Sequence, residues 1–317
     1  MRRGVVVTQS SALNVRQAPS TGAKVAGKLA RGARVDILEQ QGNWYRVTSD
    51  GIQGWAHSDF IRIEELAEIS GFLRTNASLR RAALAPPAPL AAPAGAGPAE
   101  RSLVSCWNSF GGLTGRLASM LEVGCGPAVS VLMVESGGQP FDADGRLIIR
   151  FENHVFWNLF GKNDPETFNR HFKFNAQERW KGHQFRANPG EPWAGFHGNN
   201  AKEWQVLEFA ARLEESAAYR SASYGMAQVM GFNHSRLGYQ SAREMVEAMQ
   251  GDVRFHILGL FDFVKGAGTT SEMLEALRRR DYLKFATGYN GTGQAAEYAA
   301  RIERFAAAWG NIQGAPA

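Results

Sequence analysis

Two hydrophobic periods run along the chain, and the first gives way to the second once. Through about residue 63, apolar and polar residues alternate in short runs: GVVVTQ, LNVRQ, KVAGKL, RVDILEQ, WYRVTS and QGWAHSDFIRI. Turn-forming clusters, APSTG, QGN and SDG, fall between them. β-Branched and aromatic residues at a spacing of two, punctuated by Pro, Gly, Asn and Asp, predict short strands joined by tight turns. Several such strands in so short a length predict a small all-β barrel. From about residue 105 the spacing becomes helical. GGLTGRLASMLEVG sets Leu113, Leu117, Met120 and Leu121 on one face, with Gly124 as the stop, and GPAVSVLMVES opens with Pro127 in a first turn. AKEWQVLEFAARLEESAAYRSA, SAREMVEAMQGDVRFHILGLFDFVKG, SEMLEALRRRDYLKFATGYN and QAAEYAARIERFAAAW predict further amphipathic helices. Only FDADGRLIIRFEN predicts a hairpin, on its Asp-Gly turn. The second domain is therefore expected to be mostly α-helical with a small β element, and no internal repeat is present.

Between the two periods lies LAPPAPLAAPAGAGPAE, residues 84–100, which holds five of the twelve prolines. Such a stretch has too few large apolar residues to form a core and reads as a semi-rigid linker. IEELAEISGFLR, just before it, reads as a short helix packed on the first domain. The expected organisation is a β domain over 1–63, a helical segment and linker over 64–104, and a helical domain over 105–312.

Composition narrows the function classes only a little. Hydrophobic residues at 44% and charged residues at 21% are ordinary for a globular chain. The net charge of +5 suits an anionic partner, but no dense Lys/Arg block is present, so nucleic-acid binding is not expected. No apolar run approaches the roughly 18 residues of a membrane span. MRRGVVVTQSSALNV offers only VVV as an apolar stretch, so no signal peptide is legible and synthesis in the cytoplasm is expected. The two cysteines, Cys106 and Cys125, match no metal or redox spacing and read as free thiols.

The candidate chemistry begins in VLMVESGGQPFDADGRLIIRFENH, residues 131–154. Acidic side chains rarely lie in apolar runs unless something pairs with them or a reaction uses them. Glu135 ends a helical run before a Gly-Gly break, where the helix dipole disfavours its charge. Glu152 follows in IIRFENHVFW, with Arg150 and His154 as possible ion-pair partners, and Asp142 and Asp144 are rivals for a second acidic role. SYGMAQVMGFN has the form Ser-x-Gly-x-x-Gln, with Ser223, Gly225 and Gln228. TGYNGTG puts Tyr289 and Asn290 ahead of a glycine-rich turn.

These motifs, in this order, resemble the lysozyme-like superfamily of goose-type lysozymes and lytic transglycosylases. VESGGQPFDADGRLIIRFENHVFWNLFG, followed by the segment ending SYGMAQVMGFNH, is most similar to the N-acetylmuramidase domain of modular phage endolysins and bacterial wall hydrolases, over about residues 107–309. The first domain, through LNVR-PS, GNWYRV and GWAHSDFI, resembles a bacterial SH3-like domain. The resemblance implies a multidomain protein, an SH3-like barrel followed by a lysozyme-like α+β domain. It implies a monomeric, cofactor-free peptidoglycan hydrolase that cleaves the β-1,4 bond between N-acetylmuramic acid and N-acetylglucosamine. Glu135 falls on the family's catalytic glutamate and Glu152 on its second acidic position. Ser223, Gly225, Gln228, Tyr289 and Asn290 fall on substrate-orienting positions. The SH3-like domain would bind the wall, and delivery would rest on a holin or a secretion machine. A lytic transglycosylase, working with Glu135 alone and leaving 1,6-anhydro ends, is the first alternative. A catalytically silent wall-binding protein is the second.

No metal site is expected. His171, His183, His197 and His234 form no i,i+4 pair and no HExxH motif is present. Trp157, Trp180, Trp193 and Trp204 read as a mixture of core and sugar-stacking positions. Trp44, Tyr45 and Trp55 are the notable aromatics of the first domain, and for Trp44 and Trp55 filling the barrel core is at least as well favoured as a binding role.

Overall fold

The computed structural model describes residues 2–8, 12–49, 51–63, 70–136 and 139–313, with the side chains of all of these except 2, 3, 62, 63, 135 and 136. The chain divides into two compact units, residues 1–67 with 116–124, and residues 68–115 with 125–317.

The first unit is built on seven strands: β1 (Arg2–Val6), β2 (Leu13–Arg16), β3 (Val25–Leu29), β4 (Arg34–Gln41), β5 (Trp44–Ser49), β6 (Ile52–His57) and β7 (Ile61–Ile63). They form one antiparallel sheet in the order β3-β2-β6-β5-β4-β1-β7. Strand periodicity assigns the core: Leu13, Val15, Val35, Ile37, Tyr45, Val47 and Ala56 are buried at alternating positions. That parity puts Tyr45 inside and leaves Trp44 and Trp55 half-buried. Gly54 permits a close crossing of β2 and β6, because a Cβ there would meet the Arg16 carbonyl oxygen at 2.5 Å.

The second unit begins earlier than the pattern suggested. Residues 64–69 of the predicted short helix lie outside the described residues. The rest forms α1 (Phe72–Thr75), followed by α2 (Ala77–Arg80), and both dock on the helical unit. Leu73, Leu79 and Ala82 are buried. The Leu73 and Arg74 amides each donate to the Asp262 carboxylate at 2.8 Å, and the Arg74 guanidinium donates to the Leu237 and Gly238 carbonyls. The proline-rich stretch is also anchored. Asn108 brackets Leu90 with two hydrogen bonds, and Gly112 N–H donates to Leu84 O. A Cβ at Gly112 would meet Ala85 O at 2.2 Å, so glycine is what lets the stretch lie flat on the helix. The reason is simple: a chain without its own core can still be held when its carbonyls and few apolar groups find partners elsewhere.

The helix carrying Asn108 and Gly112, α3 (Pro98–Met120), starts inside the expected linker, with proline in its first turn. It ends at Met120, where Glu122 takes a left-handed φ of 58°, ahead of the stop expected at Gly124. The next helix, α4 (Cys125–Ser136), is apolar on every side and buried from Gly126 through Val134. A helix of that kind forms the middle of a domain.

The predicted hairpin reduces to one bridge, Phe141 to Leu147, around Gly145 at φ 73°. Its second arm, β8 (Ile149–Phe151), pairs elsewhere. After it come α5 (Asn153–Phe156), a π turn over Trp157–Gly161 and α6 (Pro165–His171). A three-stranded antiparallel sheet of two-residue strands follows: β9 (Phe172–Lys173), β10 (Gln184–Phe185) and β11 (Ala194–Gly195). Then come α7 (Asn200–Leu213), α8 (Glu215–Arg220), β12 (Ala222–Tyr224) and β13 (Val229–Met230). The strand order β13-β12-β8 makes the sheet that β8 joins. The chain closes with α9 (Ala242–Gly251), α10 (Arg254–Lys265), α11 (Glu272–Arg278), α12 (Tyr282–Asn290) and α13 (Ala295–Gln313). Three runs read as single helices are each broken in two, at Glu214, Asp252 and Asp281. Glu214 and Asp281 accept from backbone amides at the start of the next helix, which favours a new N-terminus over continuation. No helix among the described residues is long and apolar enough to cross a membrane.

Candidate active site

The β13-β12-β8 sheet gathers most of the singled-out residues, and α7 explains why β8 joins it. β12 pairs with one edge of β8, so the amides of Ile149 and Phe151 on the other edge need partners. Asn200 Oδ1 accepts from Ile149 N–H at 3.0 Å, and Glu203 Oε2 accepts from Phe151 N–H at 2.8 Å. Trp204 Nε1 donates to Leu147 O at 2.9 Å. Spacings of three and four put these α7 side chains on one face. They fix β8, and with it Arg150 and Glu152.

On the other side, Ser-x-Gly-x-x-Gln forms a self-bonded turn. Ser223 Oγ–H donates to Gln228 Oε1 at 2.8 Å, and Gln228 Nε2 donates to Gly225 O at 2.9 Å. Gly225 N–H donates to Ile148 O at 2.7 Å. Gly225 has φ 68°, and a Cβ there would meet His256 Nδ1 at 2.4 Å, so only glycine fits. Tyr289 O–H donates to Ala227 O at 2.9 Å, and its ring stacks on Phe285 and Tyr298. Ser223, Gly225, Gln228 and Tyr289 therefore come together as one bonded assembly. Asn290 is exposed at the end of α12.

His256, not singled out from the sequence, is the internal support of this turn. Its Nδ1 accepts from Met226 N–H at 3.1 Å, so Nε2–H donates to Met249 O at 2.7 Å. Burial pushes the imidazole down from 6.5 to about 4, against the opposing pull of Met249 O and Asp252. The ring is neutral when folded, while the unfolded chain protonates it below about pH 6.5. Its contribution to stability is full above that pH and is lost as the pH falls toward 4. The full gap corresponds to about 3 kcal/mol. Denaturant titrations at about pH 7.5 and about pH 4.5 should show wild type losing about 2 kcal/mol more than His256→Gln, which keeps both hydrogen-bonding groups without a titrating proton. Parallel losses in the two chains would show that His256 is not the source.

The second carboxylate is held tightly. Glu152 Oε1 accepts from Arg150 Nε at 2.9 Å, and Oε2 lies 3.3 Å from His154 Nδ1 and 3.5 Å from His183 Nδ1. Burial favours its neutral form, but His154, His183 and Arg150 outweigh this and hold the carboxyl below its ordinary range. Asp142 is engaged in its own turn, accepting from Asp144 and Arg146 amides and from Asn200 Nδ2. Asp144 is exposed in that turn.

Glu135 stands in the last turn of α4, and its side chain lies outside the described residues. The helix end beneath it is fixed from α13, where Arg301 donates to Val134 O at 2.7 Å. A guanidinium on a free C-terminal carbonyl is favourable in both hydrogen bonding and charge. Sequence reading missed Arg301 because 167 positions separate the pair.

The other candidates disperse. His171 and His234 bond backbone carbonyls of Arg186 and Gly231. Trp204 is tied to β8, Trp193 lies against Lys173 and Arg186, and Trp157 packs edge-on to Phe168. Trp180 alone of these is strongly exposed, at 57%. Both cysteines are free, and burial pushes the Cys106 thiol up to about 12.

The family model described as N-acetylmuramidase matches residues 126–310, and that described as bacterial SH3 domain matches residues 11–62. The crystal structure of the Burkholderia AP3 phage endolysin is similar at 26% identity, over 68% of this chain and 71% of that one, with a TM-score of 0.49. No curated relative matches the chain. With the family model covering more than half its length, from α4 into α13, the chain belongs to the N-acetylmuramidase family and is a lysozyme-like peptidoglycan hydrolase with a bacterial SH3 domain in front.

Proposed function

We propose that the enzyme cleaves the β-1,4 bond between N-acetylmuramic acid and N-acetylglucosamine, with Glu135 as the general acid. The observation that carries this reading is the placement of Glu135 at the C-terminal end of a helix buried from Gly126 through Val134, with the last turn tied down by Arg301. The negative end of a helix dipole disfavours a carboxylate, which is what an acid working near neutral pH requires. Glu135 donates its proton to the glycosidic oxygen as the bond to the anomeric carbon breaks. The resulting carboxylate then takes a proton from the water that attacks that carbon. Ser223, Gln228 and Tyr289 act by holding the turn that contacts the glycan, since each uses its polar group within the turn.

Glu152 was expected as a second catalytic carboxylate. Its partners favour a different role. Arg150 holds one oxygen, and the other is buried and turned toward histidines, away from bulk solvent. We assign it a positioning role at the β8–α5 corner. That same observation favours a second reading, in which Glu135 works alone and the 6-hydroxyl of the muramic acid residue replaces water. Borohydride reduction of released muropeptides before mass analysis separates the two. Reducing N-acetylmuramic acid ends, which take up hydrogen, are the expected result, and predominantly anhydro ends would establish the second reading.

The SH3 unit supplies attachment to the wall. Its groove, lined by Arg16, Trp44, His57, Asp59 and Phe60 among others, combines aromatic faces with one cationic and one anionic side chain. Such a lining suits a polymer of sugars and charged peptides. Tethering two modules raises the local concentration of the catalytic unit on that polymer.

A further inference from the structure

Three buried polar atoms of the second unit have no hydrogen-bond partner among the described residues: Glu152 Oε2, His154 Nδ1 and His197 Nε2. His183, whose side chain is fully buried, places its Nδ1 3.5 Å from Glu152 Oε2. The ligand atoms of Glu152, His183 and His197 all lie within 4.8 Å of one another. We propose that Glu152 Oε2, His183 Nδ1 and His197 Nε2 form a binding site for a divalent transition ion of the zinc class.

The orientation of each ring supports this assignment. His183 Nε2–H donates to Arg179 O at 2.8 Å, which turns Nδ1 inward. His197 Nδ1 pairs with Glu203 Oε1 at 2.8 Å, which turns Nε2 inward. A ligating histidine held through its other nitrogen by a carbonyl or carboxylate is the usual support for a metal. Glu203 is itself buried and anchored on Phe151 N–H. Two imidazoles and a carboxylate suit zinc, with a solvent ligand completing a tetrahedron. That solvent molecule would have His154 Nδ1 as an acceptor, 3.3 Å from the same carboxylate oxygen. Ligands at zinc distances stand roughly 3.3–3.5 Å apart in a tetrahedron. The Glu152–His183 spacing already matches, and the widest gap in the group closes with side-chain shifts on the order of 1 Å. The ion would take the His183 Nδ1 lone pair from Asn153 N–H, whose bond to it is long at 3.3 Å.

The fold gives the ion a role. His183 precedes β10, His197 follows β11 and Glu152 precedes α5, so one ion would link three segments. Residues 172–199 hold only two-residue strands. Cross-linking such a stretch restricts the unfolded chain and steadies the corner that carries Arg150.

The full-length chain, stripped of metal with dipicolinate, is titrated with ZnCl2 by calorimetry and with CoCl2 by visible absorption. One Zn2+ per chain, a tetrahedral Co2+ spectrum and a melting temperature raised by several degrees are expected. His197→Ala should weaken Zn2+ binding by at least 100-fold. Glu203→Gln, which leaves the ligands in place, should weaken it by about 10–100-fold. Failure of the stripped wild type to bind Zn2+ at micromolar concentration would mean that water fills the space, and the proposal falls. Unchanged binding in both variants would place the ion elsewhere and overturn it equally. The wild-type titration decides the matter even if His197→Ala does not fold.

Discussion

Glu135→Gln is expected to slow lysis of purified walls by about 10²–10⁴-fold, equivalent to roughly 3–5 kcal/mol of barrier, while the melting temperature stays within a few degrees of wild type. Glutamine has the shape of glutamic acid and nearly the same helix propensity, so α4 should persist. The packing of Val129 through Val134 and the Arg301 bond to Val134 O do not involve the substituted group. What is lost is a proton of suitable acidity at the leaving oxygen. Turbidity loss of wall suspensions, read beside circular dichroism melts, checks both halves. Lysis at near wild-type speed would remove Glu135 from the mechanism, whatever the products.

The second large effect concerns where the catalytic unit begins. Removing residues 1–69 and removing residues 1–100 are expected to give very different proteins. The shorter deletion keeps α1, α2 and the anchored proline-rich stretch. The longer one uncovers the sites of Leu73 and Leu79, each worth about 2–5 kcal/mol by analogy with large-to-small core substitutions. It also strips Asp262 of the two amides that bind its carboxylate. Burial already pushes Asp262 up to about 6 against those amides, Lys265 and Arg74. Without them, an uncompensated buried acid adds to the loss. Since whole-domain stability is only about 5–15 kcal/mol, the longer deletion should abolish cooperative unfolding and the shorter one should not. Equal melting curves for the two truncated chains would show that residues 70–100 contribute nothing.

The sequence determined much of this protein through local periodicity. Strand alternation placed Val15, Val47 and Ala56 in one core, and the unbroken apolar run of α4 marked the central helix that ends at Glu135. Ser-x-Gly-x-x-Gln pointed to Gly225, where a left-handed φ and the close approach of His256 together leave no room for a Cβ. Tertiary structure decided what depends on partners distant in the chain. The proline-rich stretch has a linker's composition, yet Asn108 and Gly112 hold it down. The arm after Asp144-Gly145 has a hairpin's turn, yet Asn200, Glu203 and Ala222–Tyr224 draw it into another sheet. Glu152, His183 and His197 show no spacing that signals a shared site, because loops rather than one helix face bring them together. Periodicity reports which face of an element is buried. Only the packed fold reports which polar atoms are left facing one another inside it.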